Sequence, residues 1–128
     1  MIQIRKAVYN KLIELTKPEE CGFLFSIDNI IEEMKIVKNI ARNNKENFKI
    51  GFIPKMAAVT KVVVGGYDDL IIFHVHSKQR MLSEKDIKYA VNGFYYLIIC
   101  KSKLYFYRVD KVAGFTPTFV EHSFTIVE

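Results

Sequence analysis

His74 and His76 stand one residue apart, Asp86 follows ten residues after the second, and Ser83 lies three places before the aspartate. The apolar run Leu70-Ile71-Ile72-Phe73 leads straight into the histidines and reads as a strand. A strand turns alternate side chains to one face, so the two imidazoles point the same way. Two imidazoles and a carboxylate are the ligand types of a zinc site that keeps a coordination position open. A single histidine on a strand is ordinarily a satisfied core residue, but two on one face each need polar partners when buried. Ser83 and Asp86 each have a plain role in capping a helix. His-x-His at a strand end followed by Ser-x-x-Asp at a helix start is far more specific than any of the four residues alone.

The elements that must position these residues can be read along the chain. Residues 3–16 carry Ile4, Ala7, Val8, Leu12 and Leu15 at helical spacing, which predicts a helix with one apolar face. Lys17-Pro18 ends it, because the residue before proline is pushed out of helical dihedrals. Cys21 to Phe25 suits a buried strand, and Ser26-Ile27-Asp28-Asn29 a turn. The β-branched residues between Ile30 and Ala41 predict a strand around 35–41. After the polar loop 42–47, Phe48 to Phe52 alternates as a short strand, and Pro54 opens a helix over about 55–64. Gly65-Gly66 breaks the chain before the histidine strand 70–76. Ser83 caps a helix running to about Val91, and Asn92-Gly93 ends it. Tyr95–Cys100 and Leu104–Val109 read as a hairpin joined by Lys101-Ser102-Lys103. Val112 to Pro117 is a loop, His122 an exposed strand or loop residue, and Phe124 to Val127 a last strand at a sheet edge.

With 128 residues, 50% of them hydrophobic and 26% charged, the chain has the size and composition of one globular domain with a real core. No stretch approaches the ~18 consecutive apolar residues of a membrane span, and Met1 to Lys6 lacks the apolar region of a signal peptide. The expected location is the cytoplasm. Cys21 and Cys100 sit in separate apolar runs, as buried free thiols do. The net charge of +5 comes from scattered lysines without an Arg-rich block, which reads as a solvated basic surface and argues against nucleic acid as the partner.

The motif resembles that of the JAMM metalloproteases of the JAB/MPN family, in which an upstream glutamate precedes His-x-His, a loop and Ser-x-x-Asp. Phe73-His74-Val75-His76 and Ser83-Glu84-Lys85-Asp86 match it. Family members often carry proline, then Glu-x-Cys-Gly and an apolar strand, after the first helix. Pro18-Glu19-Glu20-Cys21-Gly22-Phe23-Leu24 is similar, with Glu19 in register and Glu20 the alternative because the proline spacing is one residue short. Ser77 and Leu82 stand where the family usually has proline, and the loop 77–82 holds six residues where seven is usual. The resemblance covers nearly the whole chain. It implies one α/β (α+β) domain over residues 1–128, a mixed, mostly antiparallel sheet flanked by helices in the manner of cytidine deaminases. It implies a catalytic zinc held by His74, His76 and Asp86, with Glu19 as general base and Ser83 as donor to the oxyanion. The implied reaction is hydrolysis of an isopeptide or peptide bond at the C-terminal tail of a ubiquitin-like protein or its conjugate. A non-catalytic interaction module of the same family is the alternative.

Overall fold

The computed structural model describes residues 2–18, 20–42, 49–82, 84–90 and 95–128. In chain order they form β1 (Ile2–Arg5), α1 (Lys6–Ile13), β2 (Cys21–Ile27), β3 (Ile30–Val37), α2 (Phe52–Gly65), β4 (Asp69–His76), α3 (Glu84–Tyr89), β5 (Tyr95–Cys100), β6 (Lys103–Asp110), β7 (Thr118–His122) and β8 (Phe124–Val127). The strands make one mixed sheet in the order β7-β6-β5-β4-β2-β3-β1-β8. Four of the seven strand pairs among the described residues are antiparallel; β4 runs parallel to β5, and β1 runs parallel to both β3 and β8. This is an α+β arrangement. Among the described residues no helix is long and apolar enough to cross a membrane.

The sheet curls. β6 and β8 are six strand spacings apart in the sheet order, or roughly 29 Å if it lay flat. Yet the rings of Phe106 on β6 and Phe124 on β8 are 5.5 Å apart, centroid to centroid. The strands wrap around α1, whose Val8 and Leu12 enter the same core as Ile71, Phe73, Val75, Leu97 and Phe106. Two apolar layers cover the other face. One joins Leu82 and Ala90 to Ile98, Cys100 and Tyr107; the other joins Ala58 of α2 to Cys21, Phe23 and Phe25. Ile72 packs against both. By the two-residue period of a strand, His74 and His76 continue along the Ile72 face.

Two tight turns hold the hairpins. Asp28 and Asn29 between β2 and β3, and Lys101 and Ser102 between β5 and β6, all have positive φ. Two successive left-handed residues match the right-handed strand twist. Asp and Asn tolerate that conformation; nothing in the Lys-Ser pair advertises it. Gly22 on β2 answers a different need. An added Cβ there would lie 2.0 Å from the Lys35 carbonyl oxygen and 2.7 Å from two ring atoms of Phe73. Gly22→Ala is therefore expected to lower stability by about 1–3 kcal/mol through forced displacement of β3 or the Phe73 ring, read as a fall in the urea midpoint.

Several sequence expectations need correction. The helix expected over 3–16 begins only at Lys6, because Ile2–Arg5 pairs as a strand between β3 and β8. Ile4 fits both periods, and the pairing partners lie far along the chain. The strand expected at 35–41 is Ile30–Val37, so Glu33 and Met34 are strand residues paired with β2, and Glu32 falls at a register shift between them and Ile31. Of the strand expected at 48–52, Phe48 lies outside the described residues; the rest reduces to a single bridge between Ile50 and Asn39, and Phe52 opens α2. The helix expected at 55–64 runs Phe52–Gly65, with Gly66 in the left-handed conformation as its cap. His122 lies on a strand as expected, at the end of β7, but is half-buried, its ring edge-on to Tyr95 at 5.2 Å. The hairpin, the edge position of β8 and the buried reduced state of Cys21 and Cys100 agree with expectation.

Candidate metal centre

β4 lies between β2 and β5 and delivers both histidines at its carboxyl end. Their rings meet edge to face, 4.9 Å between centroids. The chain then leaves the sheet through the six-residue loop 77–82, which is tied down at Arg80 and Leu82. The Tyr107 hydroxyl donates to the Arg80 carbonyl at 2.8 Å, the Arg80 guanidinium lies 5.3 Å from the Tyr105 ring centroid, and Leu82 is buried beside Tyr107 and Ile98. The short loop therefore still brings Asp86, in the first turn of α3, to the histidines. Asp86 Oδ2 is 3.2 Å from His76 Nε2, and the two side chains are only 7% and 10% exposed.

His74, His76 and Asp86 each offer one donor atom, all within 4.8 Å of one another, and the group could hold a metal ion. Zinc bonds of about 2.0–2.2 Å set ligand atoms about 3.4 Å apart in a tetrahedron. The His76–Asp86 spacing matches that edge; the group as a whole is slightly open.

The remaining ring nitrogens show how the imidazoles are aimed. His74 Nε2 is 3.0 Å from the Pro18 carbonyl oxygen, and His76 Nδ1 is 3.2 Å from that of Gln79. A carbonyl only accepts, so each of these nitrogens is assigned the proton. In the neutral ring the other nitrogen then carries the lone pair, the tautomer that a metal requires. His76 Nε2 thus presents its lone pair to a carboxylate oxygen 3.2 Å away. Two acceptors at that distance repel unless a proton or a metal cation lies between them.

Burial, and secondarily the neighbouring His76, pushes the His74 pKa down to about 4; Asp86 and the Pro18 carbonyl oppose the shift. His74 is neutral at pH 7, ready as a ligand. The sign of the stability effect follows. Between pH 4 and 6.5 the unfolded chain binds a proton at this residue that the folded chain does not, so stability rises with pH across that window. Metal-free protein is expected to lose about 3 kcal/mol through His74 as the pH falls from 6.5 to 4. A urea midpoint unchanged over that range contradicts a buried neutral His74.

Glu19 and Ser83 lie outside the described residues. The neighbours of Glu19 are both bonded to β4: Pro18 through the His74 ring, and Glu20 through its carbonyl, which accepts from Val75 N–H at 3.1 Å. Glu20 itself spends its carboxylate on the Lys17 N–H at 3.2 Å, closing the turn between them. That commitment counts against it as the base. Cys21 sits opposite His74 in the register, but its thiol donates to the Val37 carbonyl at 3.6 Å, and burial raises its pKa to about 11. It is a structural thiol.

Sequence reasoning missed three groups. Pro18 and Gln79 act through backbone carbonyls, which leave no residue-type signal. Tyr107 read as an ordinary hairpin aromatic, and only its hydroxyl's reach to Arg80 reveals the role.

No protein-family profile matches the chain, and no curated protein matches it. Solved structures do. The chain is similar to the solution structure of a protein from Desulfitobacterium hafniense, with TM-score 0.77 and 18% identity over 100% of this chain and 94% of that one. It is also similar to that of a protein from Salinibacter ruber, with TM-score 0.63 and 14% identity over 99% and 92%. At these identities the likeness concerns the fold alone.

Proposed function

We propose that the chain is a small zinc peptidase or isopeptidase of the JAMM type, built on a single MPN-like domain and acting in the cytoplasm on the C-terminal tail of a ubiquitin-like protein or its conjugate. One observation carries the reading. Two imidazoles, each held by a backbone carbonyl on its far nitrogen, converge with a buried carboxylate, in a chain whose sequence supplies a glutamate, Glu19, upstream of the histidines and a serine, Ser83, three residues before Asp86. His74, His76 and Asp86 would hold the ion and leave a fourth position open. A zinc ion held there would supply Lewis acidity and lower the pKa of water to about 7. Glu19 takes the proton of the attacking water and passes it to the departing amine. Ser83 would donate a hydrogen bond from its hydroxyl to the developing oxyanion.

The test pairs metal analysis with an assay on a ubiquitin-like domain fused through its C-terminal tail to a reporter. About one zinc per chain and release of the reporter are expected, and a chelator should stop the release. A folded protein that takes up no zinc would sink the proposal.

A further inference from the structure

α2 buries one side and leaves the other bare. Ala58 is buried and Val62 packs on the layer of Phe23 and Phe25. Phe52, Ile53, Met56, Val59, Val63 and Val64 are 47% to 80% exposed. At about 100° per residue these six fall within an arc of about 140° opposite Ala58. Thr60 is the one polar residue on that arc, and neither lysine of the helix lies on it. Side chains so exposed present on the order of 700 Å² of apolar surface, close to the ~800 Å² per partner of a standard interface and more than a typical monomer's largest apolar patch. Ile40, 49% exposed and 3.7 Å from the Cβ position of Gly51 at the N-terminal cap, extends the patch.

The spacing of the central residues says what covers it. Phe52, Met56, Val59 and Val63 follow intervals of four, three and four, the seam of a left-handed helix pair. That series reads the same in both directions. Its large side chains, Phe52 and Met56, occupy the N-terminal half, and its small ones, Val59 and Val63, the C-terminal half. We propose that α2 is the interface of a homodimer, two copies packing antiparallel about a two-fold axis at the level between Met56 and Val59. Phe52 then meets Val63 of the partner subunit, and Met56 meets Val59 of the partner subunit, each large side chain against a small one. Parallel packing would set Phe52 on its own copy. The antiparallel register also keeps the flanking lysines apart: Lys55 comes level with Thr60 of the partner subunit, and Lys61 with Pro54 of the partner subunit. For a chain of net charge +5, an uncharged seam is the surface on which self-association meets least repulsion. The inference is independent of the metal centre.

Sedimentation or light scattering at about 100 µM chain, well above a micromolar Kd, should give twice the chain mass of 14.9 kDa. Val63→Glu should halve that mass while the circular dichroism spectrum and unfolding midpoint of the fold persist, because Val63 is 77% exposed within one chain. Phe52→Cys combined with Val63→Cys should oxidise to a covalent dimer. Phe52→Cys alone should not, since eleven residues of helix put the two copies of position 52 about 16 Å apart, beyond the ~7 Å reach of a disulfide. The native cysteines are buried and do not interfere. A wild-type mass of one chain overturns the proposal. So does a dimer that survives Val63→Glu, and a covalent dimer from Phe52→Cys alone overturns the antiparallel register.

Discussion

His76→Ala is expected to weaken zinc binding by more than about 100-fold, beyond the 10- to 100-fold that loss of a mere supporting contact costs. The substitution removes one of three donors and leaves Asp86, whose side chain is only 7% exposed, facing an empty space where Nε2 stood. The remaining pair cannot enclose an ion, and the metal-bound chain should lose the stabilisation that binding gives it. The fold itself should survive, because His76 lies at the last position of β4 and belongs to none of the apolar layers. Competition against a chromophoric chelator measures the affinity, and circular dichroism checks the fold. Zinc affinity within threefold of the wild type would remove His76 from the ligand set and with it the proposed centre.

Glu19→Gln is expected to reduce cleavage of the ubiquitin-like fusion by about 10²- to 10⁴-fold, the usual worth of a positioned general base. Zinc content should stay at that of the wild type. The amide is nearly isosteric with the carboxylate but cannot take a proton from water at neutral pH. Glu20→Gln serves as the comparison: its carboxylate closes the Lys17 turn, so its loss should cost a small amount of stability and little rate. If Glu20→Gln stops cleavage and Glu19→Gln does not, the base is Glu20. If wild-type protein binds zinc and cleaves no tail, the chain is an interaction module that has kept its metal.

The legible parts of this fold are those decided within a few residues. The hairpin β5–β6 was plain because two apolar runs flank a short polar joint. The histidine strand was plain because Gly65-Gly66 and the apolar run mark its start. β1 is not, because Ile4 also continues the helical series of Val8, Leu12 and Leu15. Its identity comes from pairing with Phe124–Val127, more than a hundred residues away. The start of β3 is hidden for a similar reason: Glu32 and Glu33 look helical locally. Glu32 is in the sheet with the Arg5 guanidinium at 3.0 Å, and Glu33 bonds Tyr67 and Lys61. Those partners lie far off in sequence and make acidic strand residues tolerable.

The site divides along the same line. That His74 and His76 face one way follows from the two-residue period of a strand, a property of local backbone geometry. That Asp86 sits in the first turn of a helix follows from the Ser-x-x-Asp spacing of a capping pattern. The sequence by itself therefore determined the donor types and their pairing on one strand face. Whether a six-residue loop carries Asp86 to within 3.2 Å of His76 was decided only in three dimensions, by Tyr107 and the Leu82 layer drawing the loop onto the sheet. The tautomers were decided there too, since the carbonyl of Pro18 reaches His74 only because β2 pairs with β4. Ring orientation and proton placement depend on contacts between distant segments, and no local pattern of residue types encodes them.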